Sequence, residues 1–192
     1  FLPPTSVVQN QLSSYLGEIE YFDNDLGLLI QLLKDRGLFE NTIIVVTSDN
    51  GMEFSRGKPT LYEYGVRVPL AIHWSKIPNP GRTIDDFVSL IDIAPTFLAA
   101  AGVDIPQVMT GKSLLPILNA TVDGPVDPHR DAAFVGYERH AGGIRAGNLS
   151  YPSRAIYTSD FTYIKNYFPD RWPVGDPPGY VESIPWLLVD PV

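Results

Sequence analysis

The 192-residue sequence contains no cysteine, which excludes a disulfide framework and a metal site built from thiolates. It has no run of lysine or arginine, and its formal net charge is −8. Because nucleic-acid binding needs many cations facing phosphates, this charge balance argues against a nucleic-acid-binding protein. No apolar run approaches the length of a membrane span, and no signal peptide opens the chain. One local cluster of cations would still be enough to bind an anionic small molecule.

The residues that are present favour a folded, globular protein. Hydrophobic residues make up 44% of the chain, which suits an ordinary core and argues against disorder. The length fits one domain with a modest second layer. The opening residues Phe1, Leu2, Pro3 and Pro4 are atypical of a natural start, so we expect the chain to be the later part of a longer protein. The sequence leaves the oligomeric state open.

A continuous apolar run, residues 43–46, leads into a polar turn. Such a run favours a strand buried on both faces of a parallel sheet, and ligands of α/β sheets bind beyond the carboxyl ends of strands. Asp49 and Asn50 follow directly and offer two hard oxygens, which suit Ca²⁺ or Mg²⁺ better than a soft metal. Gly51 permits the tight turn that follows, and Lys58 could return a cation to the same cleft.

An amphipathic helix is predicted from Thr5 or Ser6 to about Gly37, because leucine and isoleucine recur at helical spacings. Either hydroxyl residue suits the start of the helix, and the glycine suits its end. A helix followed by a strand is the repeating unit of a doubly wound α/β sheet. Two further elements are predicted: a strand over residues 66–74, with Pro69 at its edge or start, and a helix over residues 93–101, capped by Asp92.

The prolines, glycine and polar residues of segment 119–130 predict a boundary in the chain. We therefore divide it into residues 1–118, part of a main α/β domain, and residues 119–192, a small α+β subdomain with a Pro- and aromatic-rich tail. The pattern after the boundary predicts a small antiparallel sheet. Its strands are expected at residues 132–137, 154–158 and 161–167, of which the last two form a hairpin.

An ordered series of segments resembles the second half of a sulfatase, within the alkaline phosphatase-like superfamily. The segments are TSDNG, GKPTLYEYGVRVPL, SLIDIAPTFLAAAG, TGKSLLPIL, YERH and FTYIKNY. They are most similar to the heparan N-sulfatase (N-sulfoglucosamine sulfohydrolase) branch and its bacterial relatives. SDNG alone would be weak evidence, but the whole series in order is specific. The resemblance implies an α/β fold: part of an alkaline phosphatase-like doubly wound sheet, with a small C-terminal antiparallel sheet subdomain.

The resemblance also implies an activity, the metal-assisted hydrolysis of sulfate esters or sulfamates on glycans. Asp49 and Asn50 would supply part of a Ca²⁺ site, for which Mg²⁺ is an alternative. Lys58 would be a catalytic and substrate-binding cation, with a solvated loop lysine as the alternative reading. The formylglycine nucleophile and the other metal ligands are expected outside this chain, so we expect the 192 residues alone to be inactive. The implied location is periplasmic, secreted or lysosome-like.

Glu138, Arg139 and His140 form a second candidate cluster, which would bind sulfate or sugar hydroxyls of a sulfated saccharide or another sulfate ester. The alternative is a surface salt bridge beside a loop histidine.

Ser150 to Arg154 fits the Cys/Ser-x-Pro-x-Arg pattern from which sulfatases make formylglycine. We reject Ser150 as the nucleophile, because in the family this motif precedes the SDNG segment and here it follows it. The residues from Arg154 onward also predict a strand, whereas the nucleophile needs the start of a helix.

Two other function classes stay open from the sequence. One is a phosphoester or phosphonate hydrolase of the same superfamily, which the nucleophile motif would distinguish. The other is a non-catalytic carbohydrate-binding remnant.

Overall fold

The computed structural model describes residues 2–139 and 148–171. Short 3₁₀ turns occupy Phe39–Asn41 and Leu90–Asp92. The predicted site residue His140 and the tail after residue 171 lie outside the described residues. The helices and strands are α1 (Ser6–Asp35), β1 (Ile44–Thr47), α2 (Glu63–Val66), β2 (Leu70–His73), α3 (Ile93–Ala100), α4 (Leu115–Leu118), β3 (Ala132–Tyr137), β4 (Ser153–Thr158) and β5 (Thr162–Asn166).

The chain divides into two compact units. The first consists of Phe1–Thr47 and Pro69–Ile77, and the second of Ser48–Val68 and Pro78–Val192. The boundary that we place at residues 119–130 falls inside the second unit and stays a prediction.

Helix α1 begins and ends as the sequence predicts. The Thr5 hydroxyl caps its start by accepting a hydrogen bond from the Val8 amide at 3.3 Å. At its end Gly37 has φ 66°, and the Leu38 amide donates to the Leu33 carbonyl at 2.9 Å. This left-handed glycine closes the helix with a Schellman-type bond. Neither α1 nor any other described helix is both long and apolar enough to cross a membrane.

Strand β1 forms close to its predicted position, but its pairing differs from the prediction. It pairs antiparallel with β2, so that Ile44 lies opposite His73 and Thr47 lies opposite Leu70. All of its residues are half-buried. The expectation of a parallel neighbour and burial on both faces is therefore wrong for this pair, because an apolar run indicates burial without specifying a neighbour's direction. Pro69 precedes β2 directly, and β2 is shorter than predicted, because α2 extends to Val66 and residues 67–69 lie between the two elements.

Asp92 occupies the N-cap position of α3 as predicted, but its side chain makes no capping hydrogen bond to that helix, because donors from outside the helix satisfy the carboxylate. Its Oδ2 accepts hydrogen bonds from the Ser89 amide at 3.1 Å and from Arg130 Nη1 at 2.8 Å. Its Oδ1 accepts a hydrogen bond from the Lys112 amide at 2.7 Å. Asp92 and Arg130 are only 6% and 8% exposed, so this is a buried ion pair.

The predicted C-terminal sheet is confirmed. β4 lies between β3 and β5 and pairs antiparallel with both. β4 and β5 form the expected hairpin, which the Thr158 amide closes by donating to the Phe161 carbonyl at 3.0 Å. The buried apolar side chains of the second unit come from the loop before α2, from the α4 region and from the start of the sheet. Among the described residues they include Leu61, Leu114, Ile117, Tyr151 and Ala155, and Pro95 of α3 is also fully buried.

Candidate active site

The chain that follows β1 folds back on itself over residues 48–68, which we call the site loop. The Gly57 amide donates to the Phe54 carbonyl, and the Lys58 amide donates to the Met52 carbonyl, each at 2.8 Å. Lys58 is thereby held beside a residue that lies only two positions after Asn50. The backbone thus returns as the sequence predicts.

At the glycines of the site loop, backbone segments approach one another so closely that a side chain would not fit. The Gly51 amide donates to the Gly65 carbonyl at 3.0 Å, and a Cβ atom added at Gly51 would lie 1.8 Å from the backbone carbonyl oxygen of Tyr64. A Cβ atom at Gly57 would lie 2.0 Å from the Met52 oxygen. Close approach, rather than a left-handed backbone, therefore explains the glycines beside Asn50 and Lys58.

Asp49 and Asn50 occupy the start of the site loop, where Asp49 is exposed and Asn50 half-buried. The Asn50 amide nitrogen donates to the Gly51 carbonyl at 2.8 Å, and the Ser48 hydroxyl donates to the Asn50 carbonyl at 2.8 Å. The first of these bonds leaves Oδ1 of Asn50 as an acceptor. A carboxylate and an amide oxygen on adjacent residues fit a hard divalent cation.

These two residues can provide only part of such a site. Across residues 2–139 and 148–171, no group of three or more histidine, aspartate or glutamate side chains could hold a metal ion. Because Ca²⁺ takes six to eight oxygen ligands, Asp49 and Asn50 would need further oxygens.

Lys58 is the candidate site cation of the site loop, which also contains Arg56 and Arg67. Its side chain is exposed and forms no ion pair with any carboxylate in the described parts of the chain. The position of its backbone depends on main-chain hydrogen bonds and on neighbouring glycines, so the ammonium group contributes charge without contributing to the core.

The second candidate cluster shows the salt bridge that the sequence left as its alternative. Glu138 forms an ion pair with Arg154 of β4, and both side chains are about half exposed. The Glu138 carbonyl also accepts the Tyr151 amide at 2.7 Å. Arg139 is exposed, and His140 lies outside the described residues. Substrate binding by Glu138, Arg139 and His140 therefore stays a prediction.

Ser150 lies just before β4, and no helix follows it up to residue 171, where the described part of the chain ends. Its carbonyl accepts a hydrogen bond from Arg171 Nη1 at 2.7 Å. Arg154 of the same motif lies within the strand and pairs with Glu138. This environment supports rejecting Ser150 as a nucleophile.

Tyr157 connects the C-terminal sheet to the site loop, a contact that sequence reasoning missed. Its hydroxyl donates to the carbonyl of Leu61 across 96 positions of sequence. Burial raises the pKa of the Tyr157 phenol, and the negative charge of Glu63 raises it further. Both effects favour the neutral hydroxyl, which is the form that can donate this hydrogen bond.

We expect Tyr157→Phe to lower thermal stability near neutral pH. We also expect the variant to lose less stability than the unaltered protein as the pH is raised. The variant leaves the Leu61 carbonyl without its donor, which costs about 1 kcal/mol. Because folding raises the pKa, the native state holds the phenolic proton more tightly than the unfolded state. The stability that this tighter proton binding contributes is present below about pH 10, the ordinary pKa of tyrosine in the unfolded state. It is lost as the pH rises through the higher pKa of Tyr157 in the folded state.

Thermal melts between about pH 8 and about pH 11 would measure this effect, since the range spans the ordinary tyrosine pKa. Tyr163→Phe is the matched control, because Tyr163 lies in the same sheet and is 60% exposed. Equal pH dependence in the Tyr157→Phe variant and the unaltered protein would show that the Tyr157–Leu61 contact is not linked to protonation.

Comparisons with known families cover most of the chain. A family model described as Sulfatase matches residues 2–103. A second, described as N-sulphoglucosamine sulphohydrolase, C-terminal, matches residues 55–176. Asp49 and Asn50 lie in the first match, Lys58 in both, and Glu138 in the second.

Individual proteins show the same likeness. N-sulphoglucosamine sulphohydrolase from Homo sapiens is 29% identical over 176 residues, covering 86% of this chain and 33% of that protein. N-acetylglucosamine-6-O-sulfatase from Bacteroides thetaiotaomicron is 34% identical over 173 residues, covering 88% of this chain and 30% of that protein. A solved protein in complex with its substrate D-glucosamine-2-N,6-O-disulfate is 32% identical, with a TM-score of 0.65, covering 81% of this chain and 31% of that one.

These findings confirm the resemblance and the α/β fold class inferred from the sequence, since the structural neighbour has the alkaline phosphatase-like fold. The chain spans about a third of the length of the relatives it matches.

Proposed function

Because the chain belongs to the sulfatase family, we propose that the full-length protein hydrolyses sulfate esters or sulfamates on saccharides. By full-length protein we mean the product of the reading frame that encodes this chain. The observation that carries the proposal is the site loop, which brings Lys58 back beside the residues that follow Asp49 and Asn50. The relatives named for N-sulfoglucosamine and N-acetylglucosamine 6-O-sulfate support an amino sugar as the sulfated unit.

In this proposal Asp49 and Asn50 supply part of the ligand set of a divalent cation. Ca²⁺ is favoured, and Mg²⁺ is the alternative. Their carboxylate and amide oxygens are hard donors of the kind that both ions take. The ion, when bound, supplies Lewis acidity and orientation toward a sulfate oxygen. The hydrogen bond from the Asn50 side-chain nitrogen to the Gly51 carbonyl would orient the amide so that its Oδ1, and not its nitrogen, faces the ion.

Lys58 has a different role, the binding of sulfate oxygens. Its ammonium has no carboxylate partner in the described residues, so its charge is available to an anion. The main-chain bonds of the site loop fix the position from which the side chain extends. A cation positioned in advance stabilises charge as it shifts onto sulfate oxygens during cleavage.

The proposal places the formylglycine nucleophile in another part of the full-length protein. Ser150 has no place in the reaction, because its segment leads into β4 of the antiparallel sheet. This chain then contributes the sulfate-binding and part of the metal-binding side of the site.

The proposal is tested by comparing sulfate and phosphate release by the full-length protein. Glucosamine 6-sulfate and glucosamine 6-phosphate differ only in the group that is removed, and glucosamine N-sulfate presents the sulfate as a sulfamate. We expect kcat/KM for at least one sulfated sugar to exceed that for the phosphate by about tenfold to a hundredfold, the range of ordinary active-site discrimination.

Faster phosphate release would instead indicate a phosphoester hydrolase of the same superfamily. Binding of the sugars without release of either anion would favour the carbohydrate-binding alternative.

A further inference from the structure

Arg56 has an unusual backbone conformation within the site loop. Its φ is 62°, in the left-handed region that favours glycine and is strained for a residue with a long side chain. The conformation is held in place, because the Thr60 hydroxyl donates to the Arg56 carbonyl at 2.9 Å and to the Gly57 carbonyl at 2.8 Å. Such strain persists only where the surrounding structure holds the backbone, and strained residues cluster at active sites and ligand-binding sites.

The Arg56 guanidinium lies over the ring of Tyr62, with its Cζ atom 5.7 Å from the ring centroid. The Tyr62 side chain is itself 52% exposed, so the stacked pair is open to solvent on the surface of the loop. A cation on an aromatic face is restricted in orientation while its N–H groups stay free to donate.

No carboxylate in the described residues neutralises the charge of Arg56. Some other arginines of the second unit have such partners: Arg67 pairs with Glu63, and Arg154 pairs with Glu138. Arg82 instead donates to backbone carbonyls. Arg56 has none within residues 2–139 and 148–171, and Lys58 likewise has none. Two uncompensated cations therefore lie two residues apart, within about 7 Å along the backbone, in a chain of net charge −8.

We propose that Arg56 is a specificity-determining residue that binds a second anionic group of the saccharide whose reacting sulfate lies at Lys58. The inference rests on the proposed function and adds a requirement to it, namely a substrate with two acidic groups. The second group is an oxyanion, either another sulfate or a sugar carboxylate. The planar, forked donors of a guanidinium match both groups. Tyr62 keeps the guanidinium oriented in the absence of substrate.

Arg56→Gly in the full-length protein separates this role from a structural one. Glycine adopts a positive φ without strain, so we expect the melting temperature to stay the same or to rise. For a saccharide that carries the second anionic group, KM should rise on the order of tenfold or more, the scale of one charge-assisted hydrogen bond, while kcat changes little. For the same sugar carrying only the reacting sulfate, both constants should stay near their original values.

Three substrates distinguish the sources of the second anion: a monosulfated glucosamine, its N,6-disulfate, and a monosulfated glucosamine linked to a uronate. A selective loss on the disulfate assigns a sulfate to Arg56, and a selective loss on the uronate-linked sugar assigns a carboxylate. Arg56→Lys should recover part of the affinity, and Arg67→Gly, at an exposed arginine of the same loop, should not be selective.

An equal loss on all three substrates, or no loss, would overturn the role of Arg56 while leaving the proposed function intact. A protein that hydrolyses none of the three would remove the proposed function, and the inference about Arg56 with it.

Discussion

Lys58→Ala in the full-length protein should lower kcat/KM for a sulfated amino sugar by on the order of a hundredfold or more, the effect of removing one preorganised electrostatic donor. Part of the loss should appear in KM, because sulfate is negative before it reacts. The rest should appear in kcat, since charge redistributes over the sulfate oxygens only during cleavage. Lys58→Arg should be milder, because it keeps the charge while changing the geometry of the donors.

The folded structure should survive this substitution. The Lys58 amide makes the hydrogen bond to the Met52 carbonyl that closes the site loop, and alanine retains that amide. The side chain is exposed and has no carboxylate partner in the described residues, so its removal leaves the core unchanged. The melting temperature should therefore hardly move, and any loss of rate reports the missing ammonium group.

Lys165→Ala is the matched control, since Lys165 is an exposed lysine of β5 whose ammonium group lies over the Tyr167 ring. It should leave kcat/KM unchanged. If Lys58→Ala also leaves kcat/KM unchanged, Lys58 is an ordinary loop lysine and does not bind sulfate.

Arg130→Met should destabilise the protein by about 3 to 5 kcal/mol, because it leaves the buried Asp92 carboxylate without its ion-pair partner. Arg130 is the ion-pair partner of Asp92, and its Nη2 also donates to the carbonyls of Lys112 and Ser113 at 2.9 Å and 3.1 Å. One guanidinium thereby joins three segments of the second unit. Methionine fills similar volume but can replace none of these donors.

The Arg67–Glu63 pair provides the comparison for that loss. Its nitrogen and oxygen lie 2.7 Å apart, close to the 2.8 Å of the Arg130–Asp92 pair, but its side chains are 80% and 57% exposed. Arg67→Met should cost less than about 1 kcal/mol, as exposed ion pairs generally do. Denaturant unfolding of both variants measures the difference.

Equal losses from Arg130→Met and Arg67→Met would contradict the structural role assigned to the buried pair. A double variant, Arg130→Met with Asp92→Leu, should lose less stability than the sum of the losses of the two single variants, because it removes both charges and leaves no unpaired buried charge.

The parts of the fold that the sequence predicts well are those set by neighbouring residues. Thr5 and Gly37 mark the ends of α1 because capping acts within a few positions. The hairpin of β4 and β5 follows from two short strand patterns on either side of a turn. The direction of β2 against β1 is not encoded locally, because the apolar run of β1 would look the same beside either kind of neighbour.

The same limit applies to the site. Asp49, Asn50 and Lys58 are identified from their place after a strand and from the family resemblance, and the return of the loop follows from its length and glycines. An acidic residue before a helix looks like a cap, and only the structure shows that Asp92 pairs with Arg130, 38 positions away. The left-handed backbone of Arg56 is equally invisible in the sequence, because glycine and asparagine are the residues that usually mark such a position.

The most direct test of the proposed site is the rate of sulfate release from the glucosamine sulfates by the full-length protein and its Asp49→Ala variant. Asp49 is exposed, so the variant should fold normally, and Asp160→Ala in the exposed β4–β5 turn is the control. We expect Asp49→Ala to lower kcat/KM by at least about a hundredfold, because a metal ligand that positions Lewis acidity is lost. Asp160→Ala should leave the rate unchanged. Full sulfate release by the Asp49→Ala variant would contradict the assignment of the site loop to the sulfatase active site.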